Sequence, residues 1–128
     1  MSELDDPAVE TVAELEAEQE KSTRVEKGGT LVCAVCQHVI TETSAAIPVE
    51  GSHEHVQANP FGFVFCFGCF SVAPGCALVE GEHSADSWFR GYVWRVAVCA
   101  GCKTHLGWYF RGDASAFFGL LLNKLKHR

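Results

Sequence analysis

Four of the seven cysteines in this 128-residue chain fall in two Cys-x-x-Cys pairs, Cys33/Cys36 and Cys99/Cys102. Each pair brings two thiolates close enough to grip one ion, and two pairs complete the tetrahedral set of four sulfurs that Zn²⁺ takes in closed structural sites. A closed site leaves no position for substrate, so the expected cofactor is one structural Zn²⁺ that clamps the fold. The 62 residues between the pairs exceed the spacing of a small zinc finger, so the metal would join distant parts of one larger domain. Redox dithiols or disulfides are the competing chemistries. They require a βαβ setting or a secretory origin, and the sequence displays neither.

The second chemistry is aromatic. All three tryptophans lie near the second pair, in the segments Trp88-Phe89-Arg90-Gly91-Tyr92-Val93-Trp94 and His105-Leu106-Gly107-Trp108-Tyr109-Phe110. Along a strand Trp94, Val96 and Val98 would share one face, and Trp108 would project from the strand that leaves the second Cys pair. Three indoles converging on one cavity can bury a flat ring, or hold a quaternary ammonium by cation–π attraction. Plain core is the competing assignment for any single Trp. Clustering beside Gly91 and Gly107, where backbone can approach a ligand closely, favours a pocket.

The remaining ligand-type residues carry less. Cys66 and Cys69 form a third Cys-x-x-Cys, but on a strand positions i and i+3 face opposite sides, so these two and Cys76 read as free buried thiols. His53 and His55 could share a strand face as a second metal site, yet no third ligand stands nearby. His105 is expected to bond a neighbour or cap its turn rather than bind metal.

The elements that must position these groups read as short strands. Thr30–Val32, Phe63–Phe70, Ala77–Val79, Tyr92–Val98 and Leu106–Phe110 are rich in β-branched and aromatic residues, and Asn59-Pro60-Phe61-Gly62 signals a turn. Phe117, Phe118, Leu121, Leu122 and Leu125 fit either a strand or a helix capped at Asp113 or Ser115. A hydrophobic content of 48% is enough for one domain with a real core. Residues 1–27 hold nine acidic groups against three basic ones, a net of −6, which equals the net charge of the whole chain. They read as a solvated acidic tail with a short helix over Pro7–Lys21, leaving residues 28–128 as the domain. The basic residues near the end, Lys124, Lys126 and Arg128, make no patch able to neutralise phosphates, which argues against nucleic acid as partner. No apolar run approaches a membrane span, and no signal-like start is present. The odd number of cysteines fits a reducing compartment, so a monomeric, cytoplasmic protein is expected.

At these motifs the sequence resembles a known family, the cereblon-type thalidomide-binding or CULT domain. The matching segments are Cys33-Ala34-Val35-Cys36, His53-Glu54-His55-Val56, Asn59-Pro60-Phe61-Gly62, Ser87 to Trp94, Cys99-Ala100-Gly101-Cys102, His105-Leu106-Gly107-Trp108 and Phe117-Phe118-Gly119-Leu120. The resemblance spans roughly residues 30 to 125. It implies a β-tent, two antiparallel sheets at a large angle pinned by a four-cysteine zinc site. It also implies a pocket for cyclic imides such as the glutarimide of thalidomide, for uracil-like rings and for cyclic imides at protein C-termini. Carried over, Trp88, Trp94 and Trp108 would be the walls, Phe110 would lie beneath, Asn59 and Pro60 would form a rim loop, and the backbone from Asp86 through Ser87 to Trp88 would bond the imide. The matching segment places His53 and His55 in a loop.

Two departures stand out. The animal receptor has histidine where this chain has Asp86, and an ionised carboxylate cannot donate to a ring carbonyl, so affinity should fall by about 1 kcal/mol or ligand preference should shift. That receptor also carries a Lon-like domain and adaptor-binding helices ahead of this domain, so the chain is expected to be a free-standing, bacterial-type member with no ligase role and no catalysis. An aromatic-cage reader of methylated ammonium groups is the alternative function. A methionine sulfoxide reductase of the B type would share the tent and the Cys pairs, but it needs a late nucleophilic cysteine and none follows Cys102.

Overall fold

A computed structural model describes residues 29–128, where runs rich in β-branched and aromatic side chains form most of the strands. The expected acidic tail and its short helix lie outside the described residues. Nine strands form: β1 (Thr30–Cys33), β2 (Val39–Glu42), β3 (Glu54–Ala58), β4 (Val64–Phe70), β5 (Cys76–Leu78), β6 (Val93–Cys99), β7 (His105–Arg111), β8 (Ala116–Leu121) and β9 (Leu125–His127). Two single turns of 3-10 helix, Thr43–Ala45 and Leu122–Lys124, complete the elements, and no α-helix occurs among the described residues. The strands make two antiparallel sheets, a three-stranded one ordered β2-β1-β9 and a six-stranded one ordered β3-β4-β8-β7-β6-β5. The fold is all-β, as the sequence predicts. No helix among the described residues is long and apolar enough to cross a membrane.

The C-terminal stretch resolves as strand. β8 lies between β4 and β7, with Phe118 and Leu120 on one face and Phe117, Gly119 and Leu121 on the other. A central strand covered on both faces needs an unbroken apolar run, and such a run also fits helical spacing. Its two faces serve two clusters. Leu31, Ile40, Phe70, Leu106, Leu120 and Leu125 fill the space between the two sheets, whereas Phe67, Phe89, Trp108, Phe110, Phe117 and Leu121 form the cluster on the opposite face. The six-stranded sheet therefore has a metal-side face and a pocket-side face.

His55 is a correction to the loop that the resemblance implies. It lies on β3, an edge strand whose residues alternate exposed and half-buried. Its half-buried positions are the polar His55 and Gln57, whereas Val56 and Ala58 are exposed, which hides a strand from a reading based on apolar runs.

Candidate functional site

The two Cys pairs sit in two hairpin turns of the same design. In the first, the Cys33 N–H donates to the His38 carbonyl at 2.9 Å and the Gln37 N–H donates to the Cys33 carbonyl at 2.8 Å. In the second, the Cys99 N–H donates to the Thr104 carbonyl and the Lys103 N–H to the Cys99 carbonyl, both at 2.8 Å. The residue after the second cysteine of each pair, Gln37 or Lys103, has φ of 68°. This left-handed step reverses the chain and turns both sulfurs inward.

The first turn joins β1 to β2 in the small sheet, and the second joins β6 to β7 in the large one, so the four sulfurs come from both sheets. Cys33 Sγ lies 3.7 Å from Cys102 Sγ and Cys36 Sγ 3.6 Å from Cys99 Sγ, and all four sulfurs fall within 4.8 Å of one another. Sulfurs about 2.3 Å from a tetrahedral Zn²⁺ would be spaced by about 3.8 Å. The donor set therefore suits one metal ion. The Thr104 hydroxyl and backbone N–H bring the Cys102 thiol down to about 6. Despite a backbone hydrogen bond from His38, the Cys36 thiol is pushed up to about 12 by desolvation and by the sulfurs of Cys102, Cys99 and Cys33. Metal ligation requires thiolates, so binding of a cation at this cluster would be coupled to proton release.

The other three cysteines stand outside this set, and none of them forms a disulfide among the described residues. Cys69 is buried and Cys66 half-buried on opposite faces of β4. Burial raises the Cys69 thiol to about 12, with Glu50 adding to the shift. Burial likewise raises Cys76 to about 12, helped by Cys99 and Cys33. His53 and His55 join no metal cluster among the described residues; each ring faces a backbone carbonyl, of Ile47 for His53 and of Val49 and Ser52 for His55.

The pocket forms on the other face of β6 and β7. Trp94 pairs with Phe110 and Val96 with Trp108 across the two strands, so all four share a face. The register then shifts: Ala97 pairs with Gly107 but Val98 with His105, leaving Leu106 as the extra residue of a bulge. The bulge turns His105 onto the pocket face, where its ring stands edge-on to Trp108 at 5.1 Å. Only glycine can make this step. Gly107 has φ of 154°, and a Cβ there would lie 1.9 Å from the Gly119 carbonyl oxygen. The His105 Nε2–H donates to the Gly107 carbonyl at 3.0 Å, and burial lowers the His105 pKa, so the imidazole that lines the pocket is neutral.

The loop between β5 and β6 supplies the facing wall. Trp88 meets Trp108 at 4.8 Å and 81°, and its indole N–H donates to the Ala58 carbonyl at 3.0 Å. The Trp94 indole N–H donates to the Ala85 carbonyl at 2.8 Å, and its ring lies 4.6 Å from His83, which also exchanges two backbone hydrogen bonds with Trp94. Two of the three indoles are thus fixed by backbone carbonyls of the loops around the cavity. Asn59 shapes the rim, its Oδ1 accepting from the N–H groups of Phe61 and Phe63, both at 3.0 Å. Asp86 stands exposed at the mouth with φ of 60°.

The enclosed space measures about 350 Å³. Of the residues singled out from the sequence, Asn59, Pro60, Asp86, Trp88, Trp94, Trp108 and Phe110 line it. Ser87 does not, because its hydroxyl is turned to the backbone of Phe89, donating to the carbonyl at 3.0 Å and accepting from the N–H at 3.3 Å. Phe61, Phe65, Val96 and His105 complete the lining and were not singled out as pocket residues. Phe65 was legible from the strand alternation that places it with Phe67, but His105 was not, since a bulge breaks that alternation. None of the lining residues is a cysteine.

Fold and site together define a class, an all-β domain with a four-cysteine cluster that could hold a metal ion and an aromatic cavity consistent with a ligand-binding module. No family model matches the chain. Known relatives do: it is 36% identical over 75 residues to protein cereblon of Xenopus tropicalis and 39% identical over 77 residues to protein cereblon of Gallus gallus, in each case 55% of this chain and 17% of the relative. Protein cereblon of Drosophila virilis is 41% identical over 47 residues, 32% of this chain and 7% of that protein. The matched part thus spans less than a fifth of the length of these relatives. Over the matched part, these similarities support a cereblon-type, or CULT, domain.

Proposed function

We propose that this domain is a non-catalytic binding module that captures a small cyclic imide or a uracil-like ring, including a cyclic imide at a protein C-terminus, with one structural Zn²⁺ holding the pocket in shape. The observation that carries this reading is the box itself. Trp88 and Trp94 have their indole N–H groups occupied by Ala58 and Ala85, so they offer apolar walls. Trp108 and Phe110 are buried behind them. A volume of about 350 Å³ suits one or two small rings. An imide presents one N–H between two carbonyls. The loop from Asp86 to Trp88 can meet that edge with a backbone carbonyl and an N–H, without any charge.

The test is a titration of zinc-loaded protein with thalidomide and with uridine, followed by tryptophan fluorescence. Saturable quenching that disappears in Trp94→Ala is expected; unchanged thalidomide binding in Trp94→Ala, or metal-free protein after purification without chelator, would overturn the reading. Replacing Asp86 by His should tighten imide binding by roughly fivefold, the equivalent of one added hydrogen bond of about 1 kcal/mol.

A second reading draws on Asp86, the acidic residue at the mouth of the aromatic box. A carboxylate beside indole faces favours a methylated ammonium. Tighter binding of a trimethyl-lysine peptide than of uridine would favour it.

A further inference from the structure

On the metal-side face of the large sheet, β5 carries a fifth cysteine beside the clamp. β5 pairs with β6 so that Cys76 stands directly opposite Cys99. The Ala100 N–H donates to the Gly75 carbonyl at 2.9 Å and the Val79 N–H to the Val96 carbonyl at 2.8 Å. Those bonds bracket Cys76/Cys99 as a non-hydrogen-bonded pair, the ladder position at which opposed Cα atoms approach to about 4.5 Å and side chains come nearest. A disulfide spans Cα separations of roughly 4.4–6.8 Å, so this pair can be joined without moving either strand. Both side chains point to the same face, and Cys76 packs against the cluster that holds Cys33 and Cys99. Yet Cys76 is absent from the four-sulfur set. Cys99 is buried, and the half-buried Cys76 beside it leaves the pair within reach of a small oxidant from solvent.

We propose that Cys76 and Cys99 form a redox pair that opens the metal clamp. A hydroperoxide is the oxidant. One sulfur of the pair attacks the peroxide, forming an S–OH group and releasing hydroxide; the neighbouring sulfur then displaces the S–OH oxygen, which leaves as water once the thiol proton is counted. Cys99–S⁻, Cys76–SH and H₂O₂ become one disulfide, one water and one hydroxide, so two electrons pass from sulfur to peroxide oxygen. Disulfide formation takes Cys99 out of the ligand set, and three sulfurs no longer close a tetrahedron. Cys99 ends the strand whose other face bears Trp94 and Val96, so the released clamp loosens a wall of the pocket. Ring binding thereby becomes dependent on the redox state of a thiol that lies outside the pocket.

The inference rests on the four-sulfur metal site. Zinc-loaded full chain is treated with hydrogen peroxide, metal release is followed with a chromophoric chelator, and disulfides are mapped by mass spectrometry after alkylation. The expected result is release of one zinc per chain together with a Cys76–Cys99 cross-link, reversed by a thiol reductant and fresh zinc. Cys76→Ser and Cys76→Ala, each first checked for its zinc content, should release the metal roughly tenfold more slowly, because the attacking neighbour is gone. Equal rates in the zinc-loaded variants and wild type, or a cross-link joining Cys36 to Cys99 or Cys33 to Cys102 instead, would overturn the inference while leaving the clamp intact. Protein that holds no metal before oxidation would overturn the clamp and this inference together.

Discussion

The metal clamp and the aromatic pocket occupy opposite faces of the same two strands, β6 and β7, and they are built on opposite principles. The clamp is local and symmetric. Each sulfur pair lies within one hairpin turn, both turns repeat the same two backbone hydrogen bonds, and the two turns converge on one cluster of four sulfurs that could hold an ion. The pocket is distributed, drawing on the rim at Asn59 to Phe61, on Phe65 of β4, on the Asp86 and Trp88 loop, and on β6 and β7. Four anionic ligands around one cation either hold or fail, whereas apolar walls contribute in increments of buried area. Loss of a clamp residue should therefore be felt across the fold, and loss of a wall residue mainly in the cavity.

The largest effect should come from the clamp. Chelation of the metal, or Cys99→Ser, should unfold the domain, since a structural zinc contributes about 10 kcal/mol, comparable with the about 5–15 kcal/mol by which whole domains are stable. Near-ultraviolet circular dichroism of the tryptophans reads this directly. A chelated protein that keeps its aromatic signal and its ring binding would uncouple the two regions.

Glycine substitutions sharpen the contrast at the next level. Gly107→Ala places a methyl 1.9 Å from the Gly119 carbonyl in a backbone conformation hostile to side chains, and should cost about 3–5 kcal/mol through strain and lost β7–β8 pairing. Gly101→Ala, within the second knuckle, meets only the His38 side chain at 3.3 Å and Cys36 Sγ at 3.5 Å. Its cost should stay below about 1 kcal/mol. Denaturant melts of the two zinc-loaded variants give the comparison, and an equal loss would mean that the bulge is not a rigid part of the pocket wall.

Within the pocket the tryptophans should separate binding from stability. Trp108 is 8% exposed and touches Phe65, Phe67, Trp88 and His105, so Trp108→Ala should cost about 3–5 kcal/mol of stability as well as ring binding. Trp94 is half-buried and held mainly by Ala85 and His83, so Trp94→Ala should cost about 1–2 kcal/mol while removing a wall. Parallel melts and fluorescence titrations distinguish the two. Zinc content should be unchanged in both.

These regions also differ in how far the sequence announces them. The clamp was legible, because spacing within Cys33/Cys36 and Cys99/Cys102 is a property of single turns and does not depend on the rest of the fold. The strands with dense β-branched and aromatic runs, such as β4, β6 and β7, were legible for the same local reason. β3 was not, because its residues read as loop until β4 pairs with them. β8 was ambiguous, because a strand buried on both faces has no alternation to display. In the pocket, indole clustering pointed to the walls, whereas His105 depends on a bulge and on the close approach of Gly107 to Gly119, a contact between separate strands. The resemblance points to Ser87 through the backbone of its segment, and its hydroxyl is bonded to the backbone of Phe89.

The smallest expected effect tests whether the two knuckles are equivalent. Gln37 and Lys103 share φ of 68°, where a residue with a Cβ carries about 1 kcal/mol of strain or more. Glycine removes that strain but adds about 0.5–1 kcal/mol of unfolded-state entropy, so Gln37→Gly should stabilise the zinc-loaded domain by only about 0.5 kcal/mol. Lys103 differs in one respect: its Nζ donates to the Ala100 carbonyl at 3.1 Å across the exposed turn. Losing that bond costs a few tenths of a kcal/mol, so Lys103→Gly should be close to neutral. Melting curves of both variants at saturating zinc measure the difference. A gain at Lys103 equal to that at Gln37 would mean that the side-chain bond contributes nothing. A loss at both would mean that the left-handed turns are held by the metal rather than strained against it.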